Sequence, residues 1–160
     1  MTRIYLETTI DASAEICFNL SRSIELHQLT TEHTGERAIA GKTSGLIEAG
    51  EFVTWEAVHF FIKQKLTVKI VEMNKFESFT DEMLQGAFKS MWHKHVFLSK
   101  NNQTIMTDDF QYEVPFGIFG KIFDTLVLTK YMTRLLKERN EIIRVIAEGN
   151  HQLKPAVFMK

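Results

Sequence analysis

Residues 87–117, AFKSMWHKHVFLSKNNQTIMTDDFQYEVPFG, decide the fold. Residues 87–99 and 104–114 alternate as strands do, so that Met91, His93, His95 and Phe97 share one face while Trp92, Lys94 and Val96 share the other. Asn101-Asn102 stands between the two runs, and asparagine tolerates the positive φ of a tight hairpin turn. After Val114-Pro115 and Gly117 the period switches to that of a helix. Ile118, Ile122 and Leu126, then Leu128, Met132, Leu136, Ile142, Ile143 and Ile146, predict an amphipathic helix of about 30 residues. Pro115 and Gly117 mark its entrance and Gly149 its exit. Lys121, Lys130, Arg134, Lys137, Arg139 and Arg144 are expected on its solvated face.

Upstream, residues 2–10 alternate as a first strand, and Asp11 or Ser13 can cap the helix that follows. Two short helices are expected over Ile16 to Leu20 and Ile24 to Leu29. Residues 36–40, 51–62, 64–72 and 75–81 then read as strands, with turns at 41–50, Lys63, Asn74 and Gly86. Seven antiparallel strands, two short helices after the first and one long helix at the end make an α+β fold, with a bent sheet gripping the helix. Residues 1–149 form one domain in this reading, and 150–160 form a tail with an apolar Val157-Phe158-Met159.

Composition limits the function classes. In 160 residues, 44% are hydrophobic and 24% charged, an ordinary globular balance. The net charge of −1 gives no bulk attraction for nucleic acid or an anionic membrane, although a local basic patch is compatible with it. Cys17 is the only cysteine, which excludes an internal disulfide, and its apolar neighbours suggest a buried, inert thiol. No apolar run approaches the roughly 20 residues of a membrane helix, and the N-terminus lacks a signal-type apolar region, so a cytoplasmic location is expected. Gly41-Lys42-Thr43 fails as a phosphate loop because position 36 is Glu and no helix follows. Nothing in the chain calls for a cofactor. The 13 phenylalanines ask for more than core filling.

Several segments resemble bacterial members of the START-like (SRPBCC) superfamily, in its polyketide-cyclase and ligand-binding branch. They are Gly41 to Gly45, Gly50 to His59, Phe79 to Met83, Gly86-Ala-Phe88, His93-Lys-His95, Thr104 with Asp108, and Tyr112 to Pro115 leading into Arg139-Asn140. The similarity runs over residues 1–148. It implies a helix-grip fold with an internal cavity for a hydrophobic small molecule: a lipid, an isoprenoid or quinone, or a polyketide-like compound. It implies no catalytic set, since the superfamily shares none.

The alternation sorts candidates for that cavity. Val53, Trp55, Ala57 and His59 share a face, and the inward set adds Phe79, Met83, Met91, His93, His95, Phe97, Met106, Phe110 and Tyr112, with Ile122 and Leu126 facing it from the helix. Aromatic and Met side chains suit an adaptable apolar site. His93 and His95, two apart on one strand, can hold zinc if His59 reaches them as a third ligand. The favoured alternative is hydrogen bonding to Asp81 and Asp108 in a polar corner of the cavity. The same five residues, His59, His93, His95, Asp81 and Asp108, are the candidates for general acid–base work of a cyclase or dehydratase type. A ligand-free protein-interaction domain is the third possibility.

Overall fold

The computed structural model describes residues 1–149; the expected tail at 150–160 lies outside the described residues. The elements are β1 (Thr2–Ile10), α1 (Ala14–Ser21), α2 (Ile24–Thr30), β2 (Arg37–Gly41), β3 (Phe52–His59), β4 (Ile62–Asn74), β5 (Ser78–Gln85), β6 (Ser90–Lys100) and β7 (Gln103–Glu113). Then follow α3 (Gly117–Phe123), a π-helical turn (Asp124–Leu128) and α4 (Thr129–Ala147). All strands join one antiparallel sheet in the order β1-β7-β6-β5-β4-β3-β2. The expected α+β helix-grip architecture is therefore present. The α1–α2 pair carries the chain between the two edge strands, and α4 packs on β1 and α1. No helix among the described residues is long and apolar enough to cross a membrane.

Local chemistry places most boundaries. Ser13 caps α1 by accepting from the Ile16 N–H, and Ser23 caps α2 by accepting from Leu26. Asn101 and Asn102 both take the left-handed conformation at the β6–β7 turn, as their side chains predict. Elsewhere the turns move. The β3–β4 hairpin pairs His59 with Ile62, so its two-residue turn is Phe60-Phe61 rather than Lys63. Both phenylalanines have positive φ, 52° and 64°, at positions where Asn-Gly would sit comfortably. Likewise β5 starts at Ser78, after a turn at Phe76 with φ 67°.

The core lies between the concave sheet face and the helices. Phe18 of α1 is fully buried and meets Phe76, Phe79 and Phe97 edge-on at 5.5–5.7 Å between ring centres. Cys17, Ile10, Met106, Ile142 and Ile143 close around it, and burial pushes the Cys17 thiol up.

The C-terminal helical run departs from the expected single stripe. Asp124 is buried and accepts hydrogen bonds from Thr2, from Tyr112 Oη at 2.5 Å and from Thr129 Oγ1 at 3.0 Å. That lock turns the polar side of the run inward. Ile122 and Leu126, expected to face the cavity, are instead 51% and 65% exposed. The π turn then resets the phase, and from Leu128 onward the apolar residues do face the sheet.

Two substitutions separate packing from strain. Phe18→Ala should cost roughly 3–5 kcal/mol in urea unfolding. Phe61→Gly should instead raise stability by roughly 1 kcal/mol, because Phe61 is fully exposed and held in a conformation that glycine adopts freely.

Candidate functional site

Two chambers lie between the sheet and the C-terminal helices, and they share Glu36, Trp55 and Leu66 as walls. The outer one has a volume of about 470 Å³, within the range of small-molecule sites. Ala57, Phe88, Val114, Phe123, Leu128 and Met132 make its surface mainly apolar. The inner one, about 160 Å³, is lined by Phe79, Met91 and Phe110 beside Asp81, His93, His95 and Arg139.

The polar wall is built by register. Pairing of β5, β6 and β7 sets Asp81 opposite His93 and His95 opposite Asp108, so four ionisable groups converge on three neighbouring strands. His93 Nε2 lies 2.9 Å from Asp108 Oδ1, and His95 Nε2 lies 3.3 Å from Asp81 Oδ1. His95 Nδ1 also stands 2.9 Å from Asp108 Oδ1, close enough for charge attraction but poorly aimed for a hydrogen bond. From α4, Asn140 donates to Asp108 Oδ2 at 2.6 Å, and the Arg139 guanidinium sits 3.5 Å from Oδ1. Asp108 is wholly buried.

Charge follows from these contacts. Burial works against ionised Asp108, but the hydrogen bond with His93 and the close approach of His95 outweigh it and hold the carboxyl well below its usual range. Asp81 is lowered in the same way, its burial overcome by His95 and then His93. For the histidines the balance splits. Burial and the neighbouring His95 keep His93 below its ordinary value. Burial alone would lower His95 too, yet Asp108 and Asp81 together raise it.

His59 does not join this group. It stands in the outer chamber, with Nδ1 2.7 Å from Tyr131 Oη, so the three-histidine metal arrangement is not formed. Asp81, His93 and His95 do bring donor atoms within 4.8 Å of one another, but His93 and His95 are already engaged by carboxylates and Arg139 adds positive charge beside them.

Of the other expected cavity residues, Trp55 lines both chambers, and Phe79, Met91 and Phe110 line the inner one. Met83, Phe97, Met106, Ile122 and Leu126 line neither. Phe97 and Met106 are core, while the hydroxyl of Tyr112 is engaged by Asp124.

Arg139, expected on the solvated face of the helix, is 7% exposed and faces the inner chamber. The signal was in the spacing: it stands three residues after Leu136 and four before Ile143, on the apolar stripe itself. Glu36 and His27 carried no such signal. They meet at 3.4 Å where the chambers join, with His27 stacked on Trp55 at 4.1 Å between ring centres. Burial would raise Glu36, but His27 lowers it overall.

Solved structures resemble this chain over nearly its whole length. The protein TTHA0849 from Thermus thermophilus matches with a TM-score of 0.70 at 20% identity, covering 91% of this chain and 99% of its own. Protein CV1439 from Chromobacterium violaceum matches with 0.68 at 10% identity, covering 91% and 96%. Major latex-like protein 151 from Panax ginseng matches with 0.64 at 17% identity, covering 91% and 97%. No protein-family model matches the chain, and no curated protein matches it by sequence. At these identities the likeness establishes the fold alone.

The raised pKa of His95 has a testable sign. Stabilisation by its charged form is fully present below about pH 6.5 and is lost as pH rises through the folded-state value. Urea unfolding from about pH 6 to about pH 9 should show declining stability, and His95→Gln should flatten that decline. Because lowered His93 and His59 act with the opposite sign, the difference between the two curves is what reports on His95, and identical pH dependence in both would mean that His95 is neutral in the folded protein.

Proposed function

We propose that the chain binds an amphipathic small molecule, with its apolar part in the outer chamber and its polar end against the histidine–aspartate wall. A cytoplasmic carrier or sensor of a lipid, an isoprenoid or quinone, or a polyketide-like compound fits this reading. The observation that carries it is the division of one interior into a large apolar chamber and a small polar one, joined at Trp55. Burial of apolar ligand surface supplies affinity, and the few buried polar groups orient the ligand. A ligand-free interaction domain calls for a collapsed interior, and a cavity of about 470 Å³ weighs against it.

The opposed shifts of His93 and His95 favour one second reading. Neighbouring titratable groups whose environments push them apart suit an acid and a base. Proton transfer on an enolisable ring compound, as in a cyclase or dehydratase of the branch this sequence resembles, is the chemistry they fit.

Native and denaturing mass spectrometry of protein from its own host should reveal an organic molecule lost on unfolding. Ala57→Phe, which fills the outer chamber, should abolish that retention while the fold survives. Retention unchanged by Ala57→Phe would place the ligand elsewhere. His93→Ala and His95→Ala separate the two readings: a carrier keeps most of its affinity, whereas an enzyme loses turnover by roughly 10²–10⁴-fold.

A further inference from the structure

The apolar residues turned outward by the Asp124 lock are not scattered. Ile118, Ile122 and Leu126, with Phe119, Phe123 and Val127 beside them, form one continuous exposed face along α3 and the π turn. Phe60 joins this face to the β3–β4 turn, its ring 5.4 Å from that of Phe123. Phe61 at that turn and Phe116 at the entrance of α3 project furthest, the latter 84% exposed. Both sit at positive φ, so the chain keeps bulky side chains at tips where they cost stability. Phe60, Phe116 and Phe123 also line the outer chamber, so the patch surrounds its mouth.

Lysines outnumber acids around this mouth, although Glu36 lines the chamber and Glu56 stands 3.5 Å from Lys63. Residues 57–71 and 114–137 contain lysines and an arginine but only one acid, Asp124, which is buried. Lys63 stands beside the Phe60-Phe61 turn, Lys65 lines the chamber, and Lys121 and Lys130 are exposed on the helices. The net charge of −1 conceals this asymmetry. Protruding aromatic and aliphatic groups ringed by lysines match the apolar boundary and anionic headgroups of a bilayer. A second copy meeting this face about a twofold axis would set lysine-rich surfaces against each other.

We propose that the rim of the outer chamber is a membrane-contact surface, by which the protein docks reversibly on a bilayer containing anionic lipids. The Phe60-Phe61 turn and the α3 face enter the headgroup boundary, and the lysines remain among the phosphates. The chamber then opens toward the acyl region. This holds whichever molecule occupies the chambers.

The test is co-sedimentation of the full chain with phosphatidylcholine vesicles, with and without phosphatidylglycerol. Binding should require phosphatidylglycerol and weaken with added salt. Phe61→Gly should reduce partitioning roughly tenfold, and Lys63→Glu with Lys121→Glu by roughly tenfold or more. Phe61→Gly relieves strain, so its loss of binding cannot be assigned to unfolding, and each variant's urea midpoint checks this. Retention of a native ligand should be unaffected by either change, which keeps this proposal distinct from the ligand reading. No partitioning onto either vesicle, or partitioning unchanged in both variants, overturns it. So does a dimer in analytical ultracentrifugation that Phe61→Gly disrupts, since the face then belongs to a second copy.

Discussion

A carboxylate without water constrains this fold more than any other group. Asp108 sits on the strand next to the β1 edge with no exposure, and an ion so placed is tolerable only if its oxygens are fully engaged. Two partners come from the strand next to it and two from α4, through Asn140 and Arg139. The helix is therefore fixed on the sheet by an electrostatic demand as well as by its apolar stripe. Apolar packing alone tolerates sliding, whereas hydrogen bonds to a buried anion specify one rotation and one height for α4. The shape of the inner chamber follows from that seat.

At the other end the grip is loose. Asp124 ties the helical run to β1 and β7 through Thr2 and Tyr112, but on the side away from the cavity. Between the two anchors the sheet and helices part, and the outer chamber fills the gap. Polarity is thus graded along the interior, from an ionised cluster through the His27–Glu36 pair to an apolar mouth. A ligand entering such a gradient has one favourable orientation.

The sheet was legible because its evidence is local. Alternation in β6 and β7 orders Met91, His93, His95 and Phe97 inward, and the Asn101-Asn102 turn leaves one register possible. The same alternation sets His93 with His95 on one face of its strand, and the pairing of β5, β6 and β7 brings Asp81 and Asp108 to them. What could not be read depends on partners distant in sequence. The rotation of residues 117–128 is held by Asp124 binding Tyr112 and Thr2, the latter more than a hundred positions away, against the preference of the helix's own apolar face. His59 lies on the correct face of its strand yet too far along it to meet His93 and His95, and alternation carries no such distance. The Phe60-Phe61 turn escaped because turn chemistry favours residues with no stake in an apolar surface. Arg139 was misread because its charge outweighed its spacing.

A π turn is, in sequence terms, a helix that has accepted one residue more than its ladder needs. Winding the same residues as an ordinary helix, with the π turn closed, would rotate everything on one side of it by roughly 100°. The outward face of α3 and the inward stripe of α4 would then come into register as a single continuous seam. The winding of this segment therefore acts as a phase setting, independent of which side chains it carries. A relative that wound the same residues without the π turn would have a mouth of opposite character while keeping the same sheet and the same buried anion.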